Sequence, residues 1–259
     1  MLREERFLKI TDYLKKVRTA KFSEIAQYLG VSEATARKDI AFLDSKGAVR
    51  LTRGGAVWNQ DDITKQVSKV RNIINREEKR QLVRSLGSFV MDGQAVALNG
   101  GTTTVEAARF LAHNYRRLTV LTNNLTALSL LKEKPGFTLI VPGGRYFEPE
   151  NTVTGKQVER DIARYNMDFA IVAVNSISLE KGITDFRMEE CGIIKAMISA
   201  SRRTLVVADH TKFQRVACMN VCPLEDVSAF LTDGGLDSET AFLYRQAGAD
   251  IVKPSPEGK

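Results

Sequence analysis

The sequence predicts an α/β protein with an N-terminal winged helix-turn-helix domain and a larger C-terminal, Rossmann-like domain built on a parallel sheet. Three observations support this class. The first 58 residues are basic and show helical periodicity followed by a hairpin pattern. From residue 95 onward, short apolar runs alternate with helical segments, which is typical of a parallel sheet. A length of 259 residues fits one large domain or two smaller ones.

The N-terminal block predicts three helices in succession. The first covers Leu2–Val17, where apolar side chains recur at the spacing of one buried face. Ser23 is expected to cap a short second helix, and Gly30 begins the turn that follows it. A third helix begins at Glu33, and Gly47 is expected to end it.

The third helix has the pattern of a DNA recognition helix. Ser32 is a natural N-cap, because its hydroxyl can accept a backbone N–H of the first turn. In a helix-turn-helix, the N-terminal residues of the recognition helix face base edges in the major groove. We therefore expect a helix-turn-helix over residues 20–39, with DNA contacts from Ser32, Thr35, Arg37 and Lys38.

Residues 48–57 alternate and turn like a β-hairpin, which completes a winged helix. In such a wing Arg50 and Arg53 would reach phosphates, which position the protein but carry little sequence information. Residues 1–58 hold 12 Lys and Arg against 7 Asp and Glu, whereas the rest of the chain has a net charge of only +2. This distribution suggests a nucleic-acid footprint at the N-terminus, although charge alone fits a solvated surface equally well.

The DNA-binding domain is thus expected over residues 1–58, followed by a polar linker over 59–74 that lacks strong periodicity. The second domain is expected over 75–253, beginning with a helix that ends near Gly93, and residues 254–259 form a tail. Strands are expected at 95–98, 118–121, 138–141, 169–174, 204–208, 227–231 and 250–252, and helices at 103–112, 125–132, 153–165, 189–201 and 238–247.

The clearest ligand-site signal in the second domain is the run 99–104, which follows the first strand and opens a helix. Its glycines allow close backbone approach, and free N–H groups at a helix start favour an anion such as a phosphate or carboxylate. Further polar turns and Lys212 follow other strands, and ligands of open α/β sheets bind outside such strand ends. An ordinary tight turn with a solvated lysine is the alternative. The predicted site residues are Asn99, Gly101, Thr102, Thr103, Thr104, Asn123, Gly144 and Lys212.

Cysteine and histidine usage limits the other chemistries. An odd number of cysteines (Cys191, Cys218 and Cys222), with no secretory signal before them, predicts a reducing compartment such as the cytoplasm. His113 and His210 are the only histidines, so we expect no metal site. No apolar run approaches the ~20 residues needed to span a bilayer. Catalysis by Cys191, near a helix start that can lower a thiol pKa, is a weak alternative, and the chain has no G-x-S-x-G motif.

Several motifs together resemble the DeoR family of bacterial transcriptional regulators. They are Ser32-x-x-Thr35-Ala36-Arg37-Lys38-Asp39-Ile40, Arg53-Gly54-Gly55-Ala56, Gly101-Thr102-Thr103, Leu121-Thr122-Asn123, Gly143-Gly144, Gly182-x-Thr184 and Ala208-Asp209-x-x-Lys212-Phe213. The resemblance implies a winged helix-turn-helix joined to a sensor domain that looks like ribose-5-phosphate isomerase. It implies a repressor of a sugar-utilisation operon, without a cofactor or catalytic residues, that a phosphorylated sugar releases from its operator.

Three single residues depart from the family pattern. Asn99 stands where Asp is common, Arg53 replaces a frequent His, and Gln214 replaces a common Gly. These changes bear on the effector and its pocket more than on the DNA-binding domain. A neutral Asn99 would either remove repulsion at an anion site or replace a sugar-hydroxyl acceptor, and the sequence does not decide which.

The partners expected from this interpretation are double-stranded operator DNA, a small phosphorylated sugar and other copies of the chain. One recognition helix covers only a half-site, so a homo-oligomer, dimer or higher, is expected. Two alternatives belong to other classes of protein. One is a sugar-phosphate isomerase or acyl-transfer enzyme with an accessory N-terminal domain, because fold does not fix function. The other is an interaction module whose basic helix binds an acidic protein.

Overall fold

The computed structural model describes residues 3–45, 48–58 and 75–254. The chain divides into two compact units, with the boundary between Arg76 and Glu77. The predicted linker over 59–74, the expected helix end at Gly47 and tail residues 255–259 lie outside the described residues.

The first unit contains three helices and a small sheet, which confirms the predicted winged helix-turn-helix. Its elements are α1 (Arg3–Val17), β1 (Thr19–Lys21), α2 (Phe22–Leu29), α3 (Glu33–Ser45), β2 (Arg50–Leu51) and β3 (Gly55–Val57). The strands are antiparallel and lie in the order β1-β3-β2. Strand β1 was not predicted, because three residues are too few to show a period of two.

The core of this unit lies where the three helices meet. Phe7, Ile10 and Leu14 of α1 are buried, together with Ile25 of α2 and Ile40 of α3. These are positions that the helical periodicity assigned to the core. Each such side chain contributes about 1.5–3 kcal/mol through burial, so packing rather than helix propensity holds these short helices in place.

The start of α2 differs from the prediction. Ser23 does not cap this helix, because α2 begins at Phe22 and Ser23 lies inside its first turn. The backbone N–H of Lys21 instead donates to the Glu24 carboxylate at 2.8 Å. Glu24 therefore satisfies an orphan donor at the helix start, the task that the Ser23 hydroxyl was expected to perform.

The turn before α3 depends on a glycine. Gly30 has φ of 66°, in the left-handed region that glycine adopts without steric cost. The N–H of Val31 then donates to the Ala26 carbonyl at 3.0 Å, which closes the end of α2. This turn fixes where the chain enters α3, at Ser32.

The second unit is an α/β domain. Its helices are α4 (Arg76–Val83), α5 (Thr102–Asn114), α6 (Leu125–Leu131), α7 (Lys156–Ile162), α8 (Met188–Ser199) and α9 (Ser238–Gln246). Its strands are β4 (Ala95–Leu98), β5 (Thr119–Thr122), β6 (Thr138–Ile140), β7 (Arg145–Phe147), β8 (Thr152–Thr154), β9 (Met167–Val172), β10 (Ser176–Ser178), β11 (Gly182–Asp185), β12 (Ser201–Val207), β13 (Met219–Cys222), β14 (Ala229–Leu231) and β15 (Ile251–Val252).

Seven of these strands form one parallel sheet in the order β15-β14-β12-β9-β4-β5-β6. The chain builds outward from β4 in one direction, and β9 then pairs with the other side of β4 and continues the opposite way. The topological switch point therefore lies between β4 and β9. The loops that leave these two strands diverge there, which opens the crevice where ligands of such sheets bind.

Helices cover both faces of this sheet. Helices α4, α5 and α6 contribute to one apolar cluster, and α7, α8 and α9 contribute to another. Strand β9 alternates between them, because Phe169 and Ile171 pack in the first cluster whereas Ala170 and Val172 pack in the second. A sheet buried on both faces explains the nearly continuous apolar runs of its strands.

Two small antiparallel sheets were not predicted. Strands β7 and β8 pair with each other, so the helix expected over 153–165 begins only at Lys156, after Gly155. Gly155 has φ of 111°, which separates strand from helix. Strands β10, β11 and β13 form the second small sheet. Their three- and four-residue lengths gave no clear periodic signal.

Within the described ranges, no helix combines the length and apolar character that crossing a membrane requires. Over the same residues, no group of three or more His, Cys, Asp or Glu side chains is arranged to hold a metal ion.

Candidate functional site

The N-terminus of α3 is capped as predicted. The Thr35 backbone N–H donates to Ser32 Oγ at 3.2 Å, and the two side-chain hydroxyls lie 2.9 Å apart. Ser32, Arg37 and Lys38 are exposed and Thr35 is partly exposed. The structure thus brings the four predicted base-contacting residues onto the first turns of one helix, where they are open to a ligand.

Arg37 is oriented before any DNA is bound. Its guanidinium carbon lies 4.2 Å from the centre of the Phe22 ring, in a cation–π contact. Phe22 is only 4% exposed and belongs to the core of the unit, so it offers a rigid platform. Sequence reasoning missed Phe22 as a partner of Arg37, because the contact joins two different helices.

Helix α3 is held on α1 by an ion pair. Arg6 Nε donates to Asp39 Oδ2 at 2.6 Å, and Arg6 Nη2 donates to Asp39 Oδ1 at 3.2 Å. The hydrogen bond to Asp39 raises the pKa of Arg6. Asp39 is buried immediately after Lys38, so this fork fixes the rotation of α3 about its axis. Asp39 belongs to the run Ser32–Ile40 that resembles the DeoR family, which is the signal that pointed to it.

The wing carries the two predicted phosphate contacts. Arg50 lies on β2 and Arg53 follows it in the turn, and both are exposed. The Leu51 backbone N–H donates to Asp44 Oδ1 at 2.9 Å, which links β2 to α3. A side chain at Gly55 would overlap the Ala20 carbonyl, so glycine is required where β3 meets β1.

In the second unit, Asn99 ties the two strands of the switch point together. Its Nδ2 donates to the Ala173 carbonyl at 3.0 Å, and the Ala173 N–H donates to its Oδ1 at 2.8 Å. The side chain is fully buried. Both polar atoms of the Asn99 amide therefore bond to the backbone just after β9. Asn99 thus holds together the two loops that border the crevice.

The turn that follows β4 leads into α5. The Thr104 hydroxyl donates to the Asn99 and Gly101 carbonyls at 2.7 and 2.9 Å, so it closes this turn from inside. Thr102 and Thr103 are also largely buried and occupy the first two positions of α5. The first N–H groups of α5 have no side-chain cap. This is the arrangement of an anion-binding helix start.

Asn123 and Asn124 follow β5 on the same edge. Asn124 Oδ1 accepts from the N–H groups of Thr126 and Ala127, which caps α6, while its Nδ2 donates to the Gly101 carbonyl at 3.1 Å. Asn123 is fully buried, and its Nδ2 donates to Glu190 Oε1 at 2.9 Å. The second turn is thus hydrogen-bonded directly to the first.

Glu190 is the unexpected member of this group. Sequence reasoning gave it no ligand role, yet it is 1% exposed and its Oε2 accepts the Gly100 N–H at 3.0 Å. Burial raises the pKa of its carboxyl. Its neighbour Glu189 is exposed and pairs with Arg145 at 3.1 Å. Glu190 lies on the side of α8 that also carries Cys191 and Ile194, and an acid on an apolar helix face is the signal that was present in the sequence.

An ion pair lies behind this carboxyl. Arg187 Nη2 lies 2.7 Å from Asp185 Oδ2, and both side chains are buried. Burial opposes the ionisation of Asp185, but the charge of Arg187 together with hydrogen bonds from Arg187 and Asn175 outweighs it and holds the Asp185 pKa below its usual range. Arg187 also donates to the carbonyls of Gly100 and Ala173. One guanidinium therefore bonds to the loops that leave β4 and β9.

The two remaining predicted site residues lie further along the edge. Gly144 is exposed and precedes β7, and a Cβ there would lie 2.7 Å from the Thr154 carbonyl oxygen. Lys212 follows β12, which is separated from β4 by β9. Next to it, His210 Nδ1 lies 2.8 Å from Asp233 Oδ2. The structure thus joins residues 99–104 and Asn123 by hydrogen bonds and places Lys212 on the neighbouring half of the sheet.

The cysteines are all free thiols. Burial raises the pKa of Cys191 to about 11, although the thiol lies near the start of α8. The expectation that this helix start could lower the thiol pKa is therefore wrong, because burial and the charge of Asp185 outweigh the lowering effect of Arg187 and Lys195. Burial likewise raises the pKa of Cys222 to about 12.

Comparisons with known proteins agree with this architecture. A family model described as the DeoR-like helix-turn-helix domain matches residues 6–62, and one described as the DeoR C terminal sensor domain matches residues 74–234. The transcriptional repressor AccR of Agrobacterium fabrum is 31% identical over 90% of each chain. The glycerol-3-phosphate regulon repressor of Haemophilus influenzae is 26% identical over 95% of this chain and 94% of its own.

Among solved structures, the ribose 5-phosphate isomerase A of Methanocaldococcus jannaschii aligns with 54% of this chain and 55% of its own length. The TM-score is 0.40 and the identity is 14%. The two family models together span both units, and a relative above 30% identity covers nearly the whole chain. The chain belongs to the DeoR family of DNA-binding transcriptional regulators.

Proposed function

We propose that this protein represses a carbohydrate-utilisation operon and that a phosphorylated sugar, bound at the switch point of its C-terminal domain, relieves operator binding. The observation that carries the proposal is the start of α5, which has no side-chain cap and begins with the largely buried threonines Thr102 and Thr103 next to the switch point of the sheet. Free N–H groups and the helix dipole at such a start favour a bound anion, and the two threonine hydroxyls can add donors.

The DNA side of the proposal rests on α3 and the wing. Ser32, Thr35, Arg37 and Lys38 would read base edges, since they lie on the first two turns of a capped and anchored recognition helix. Arg50 and Arg53 would contact phosphates. One such helix covers a short half-site, so the protein would act as a dimer or higher oligomer on repeated half-sites.

The effector side rests on the groups that converge at the strand ends. The phosphate would take the N–H groups of α5 and the hydroxyls of Thr102 and Thr103, and Lys212 would add positive charge from the adjoining half of the sheet. The glycerol-3-phosphate regulon repressor, a relative over most of the chain, is named for a phosphorylated polyol. That name supports a phosphorylated ligand of a few carbons.

To act as a switch, the effector must bind more tightly to the form of the protein that releases DNA. A coupling free energy of about 1–3 kcal/mol would weaken operator binding roughly 5- to 150-fold. The family is one of transcriptional regulators, and we assign the second domain to sensing rather than turnover. A repressor works where the chromosome is, so we place it in the cytoplasm.

The test is a fluorescence-anisotropy titration of the full chain against DNA from upstream of its own gene at fixed salt. It is run with and without a panel of phosphorylated sugars. Sequence-specific binding that one of them weakens would support the proposal and identify the inducer. Conversion of ribose 5-phosphate by the protein, without an effect of any sugar phosphate on DNA binding, would instead support the enzyme alternative.

A further inference from the structure

We propose that Glu190, Asn123 and Thr152 form a hydroxyl-binding subsite that takes the carbon chain of the phosphorylated sugar, next to the phosphate site at Thr102 and Thr103. This inference rests on the proposed function and deepens it. It assigns a different part of the ligand to each of two neighbouring sets of polar groups.

The first observation is that these side chains meet at Gly100. The Gly100 N–H donates to Glu190 Oε2 at 3.0 Å, and Asn123 Nδ2 donates to Glu190 Oε1 at 2.9 Å. A Cβ at Gly100 would lie 2.5 Å from Glu190 Oε1 and 2.7 Å from Thr152 Cγ2. Glycine at this position thus lets a carboxylate and a threonine approach the turn that begins the predicted phosphate site.

The second observation is that two atoms of this cluster lack partners. Asn123 Oδ1 and Thr152 Oγ1 are buried, and neither atom has a hydrogen-bond partner within the described part of the chain. Both side chains are fully buried. Leaving such atoms unpaired is costly, so their presence points to a ligand that supplies the missing bonds. Asn123 Oδ1 can only accept, so the ligand must donate to it.

The third observation is the hydrogen bonding of the Glu190 carboxyl. Arg187 pairs with Asp185, at 2.7 Å, and donates to the backbone carbonyls of Gly100 and Ala173, so its N–H groups are used there rather than on the Glu190 oxygens. Each Glu190 oxygen accepts one hydrogen bond and retains a further lone pair. Free acceptor positions suit hydroxyl groups, which can donate, better than the oxygens of a fully ionised phosphate, which can only accept.

The two sets of groups are close enough for one small molecule. Gly100 precedes Thr102 by two residues, which span at most about 7 Å of chain. A phosphorylated chain of a few carbons bridges that distance. The geometry therefore places the phosphate on α5 and the hydroxyl groups toward β8 and α8.

The experiment compares the full-length protein with its Thr152→Val and Glu190→Gln variants. Calorimetric titrations measure Kd for inorganic phosphate and for glycerol 3-phosphate, ribose 5-phosphate and fructose 6-phosphate. The parent should bind at least one sugar phosphate more tightly than inorganic phosphate. Thr152→Val should raise the Kd of that sugar phosphate about 2- to 10-fold, and Glu190→Gln should raise it about 10- to 100-fold. The Kd of inorganic phosphate should be unchanged in both variants.

Matched controls separate the subsite from general effects. Ser85→Ala removes another buried hydroxyl that lacks a partner among the described residues, away from the crevice, and Glu189→Gln removes the neighbouring exposed charge. Neither should change any Kd. Should Glu190→Gln fail to fold, Thr152→Val still decides, because it removes an unpaired polar group and should keep or raise the parent's Tm.

Each other outcome contradicts a stated part of the proposal. Unchanged sugar-phosphate affinity in both variants would overturn the subsite and leave the proposed function standing. Equal losses for sugar phosphate and inorganic phosphate would mean that these residues only support the phosphate site. A parent that binds no sugar phosphate more tightly than inorganic phosphate would overturn the subsite and the proposed effector class together.

Discussion

In the N-terminal domain, Ser32, Arg37 and Lys38 are exposed on a helix that buried contacts hold from behind, whereas in the C-terminal domain Glu190 and Asn123 are themselves buried and bonded to each other. The first arrangement suits a large polyanion, which comes to the surface and needs only fixed positive charges and donors. The second suits a small ligand, whose few polar groups must replace bonds that the protein leaves unmade. The two domains thus place the polar groups that we propose as ligand contacts at opposite depths.

The contrast is sharpest for ion pairs, and the largest effect is expected there. Arg187→Met should destabilise the C-terminal domain by about 3–5 kcal/mol, because it leaves the buried Asp185 carboxylate without its partner. Chemical denaturation followed by circular dichroism measures this. The matched control, Arg145→Met, breaks the exposed pair with Glu189 and should cost less than about 1 kcal/mol. Equal effects of the two variants would contradict the comparison.

The same pair makes a prediction about pH. In the parent, the Asp185 pKa lies below its usual range, so its ionised form stabilises the fold above pH ~4 and that contribution is lost as the pH falls through the folded pKa. In Arg187→Met the carboxyl is buried without a counter-charge, its pKa rises, and protonation stabilises the variant. The stability difference between the two proteins should therefore shrink between pH 7 and pH 4, and a constant difference would refute this.

On the exposed side, Arg37→Ala should abolish specific operator binding. Removing one base-reading side chain from each half-site costs about 1–3 kcal/mol per half-site, while the thermal unfolding of the C-terminal domain should not change. Anisotropy titrations with operator and with scrambled DNA separate specific from general binding. Arg53→Ala is the matched wing variant and should weaken both DNAs alike. If Arg37→Ala keeps its preference for the operator, α3 is not the recognition helix.

Among the buried residues, Thr103→Val should leave operator binding intact. It should weaken effector binding by about 1 kcal/mol, or roughly fivefold in Kd, because one hydroxyl is lost. The measurement is the concentration of sugar phosphate that releases half of the bound DNA. Thr104→Val is the informative companion, since the Thr104 hydroxyl bonds to the Asn99 and Gly101 carbonyls and its loss should lower Tm as well. If Thr103→Val releases half of its DNA at the same effector concentration as the parent, the phosphate lies elsewhere.

The smallest effect is expected at Phe22, a buried residue that contacts the exposed Arg37. Phe22→Leu keeps an apolar side chain in the core but removes the ring over which Arg37 stacks. Operator affinity should fall by about 0.5–1 kcal/mol, the value of an exposed cation–π contact, with little change in specificity. Since Arg37→Ala already lacks the guanidinium, adding Phe22→Leu to it should have no further effect on DNA binding, and additive losses would speak against the stacking role.

The same contrast explains what the sequence could reveal. The cap at Ser32 and the exposed face of α3 depend on residues three or four positions apart, so local spacing was enough to predict them. The turn at Gly101 and the strand ends around it were also predictable, because a parallel sheet brings such ends to one edge. Glu190 was not, since it reaches Gly100 across 90 residues and only the packing of α8 determines where its carboxyl lies. The pairing of β7 with β8 was missed because strands of three residues carry too little periodicity to be recognised.

The pair of bonds between Asn99 and Ala173 has an electrostatic consequence for the whole crevice. An amide both donates and accepts, so it joins the two halves of the sheet without any formal charge. An Asp at this position would face the Ala173 carbonyl with a second oxygen and add a negative potential to the crevice. In this chain the bonds between Asn99 and Ala173 involve no titratable group. These two hydrogen bonds between the halves of the sheet are therefore independent of pH.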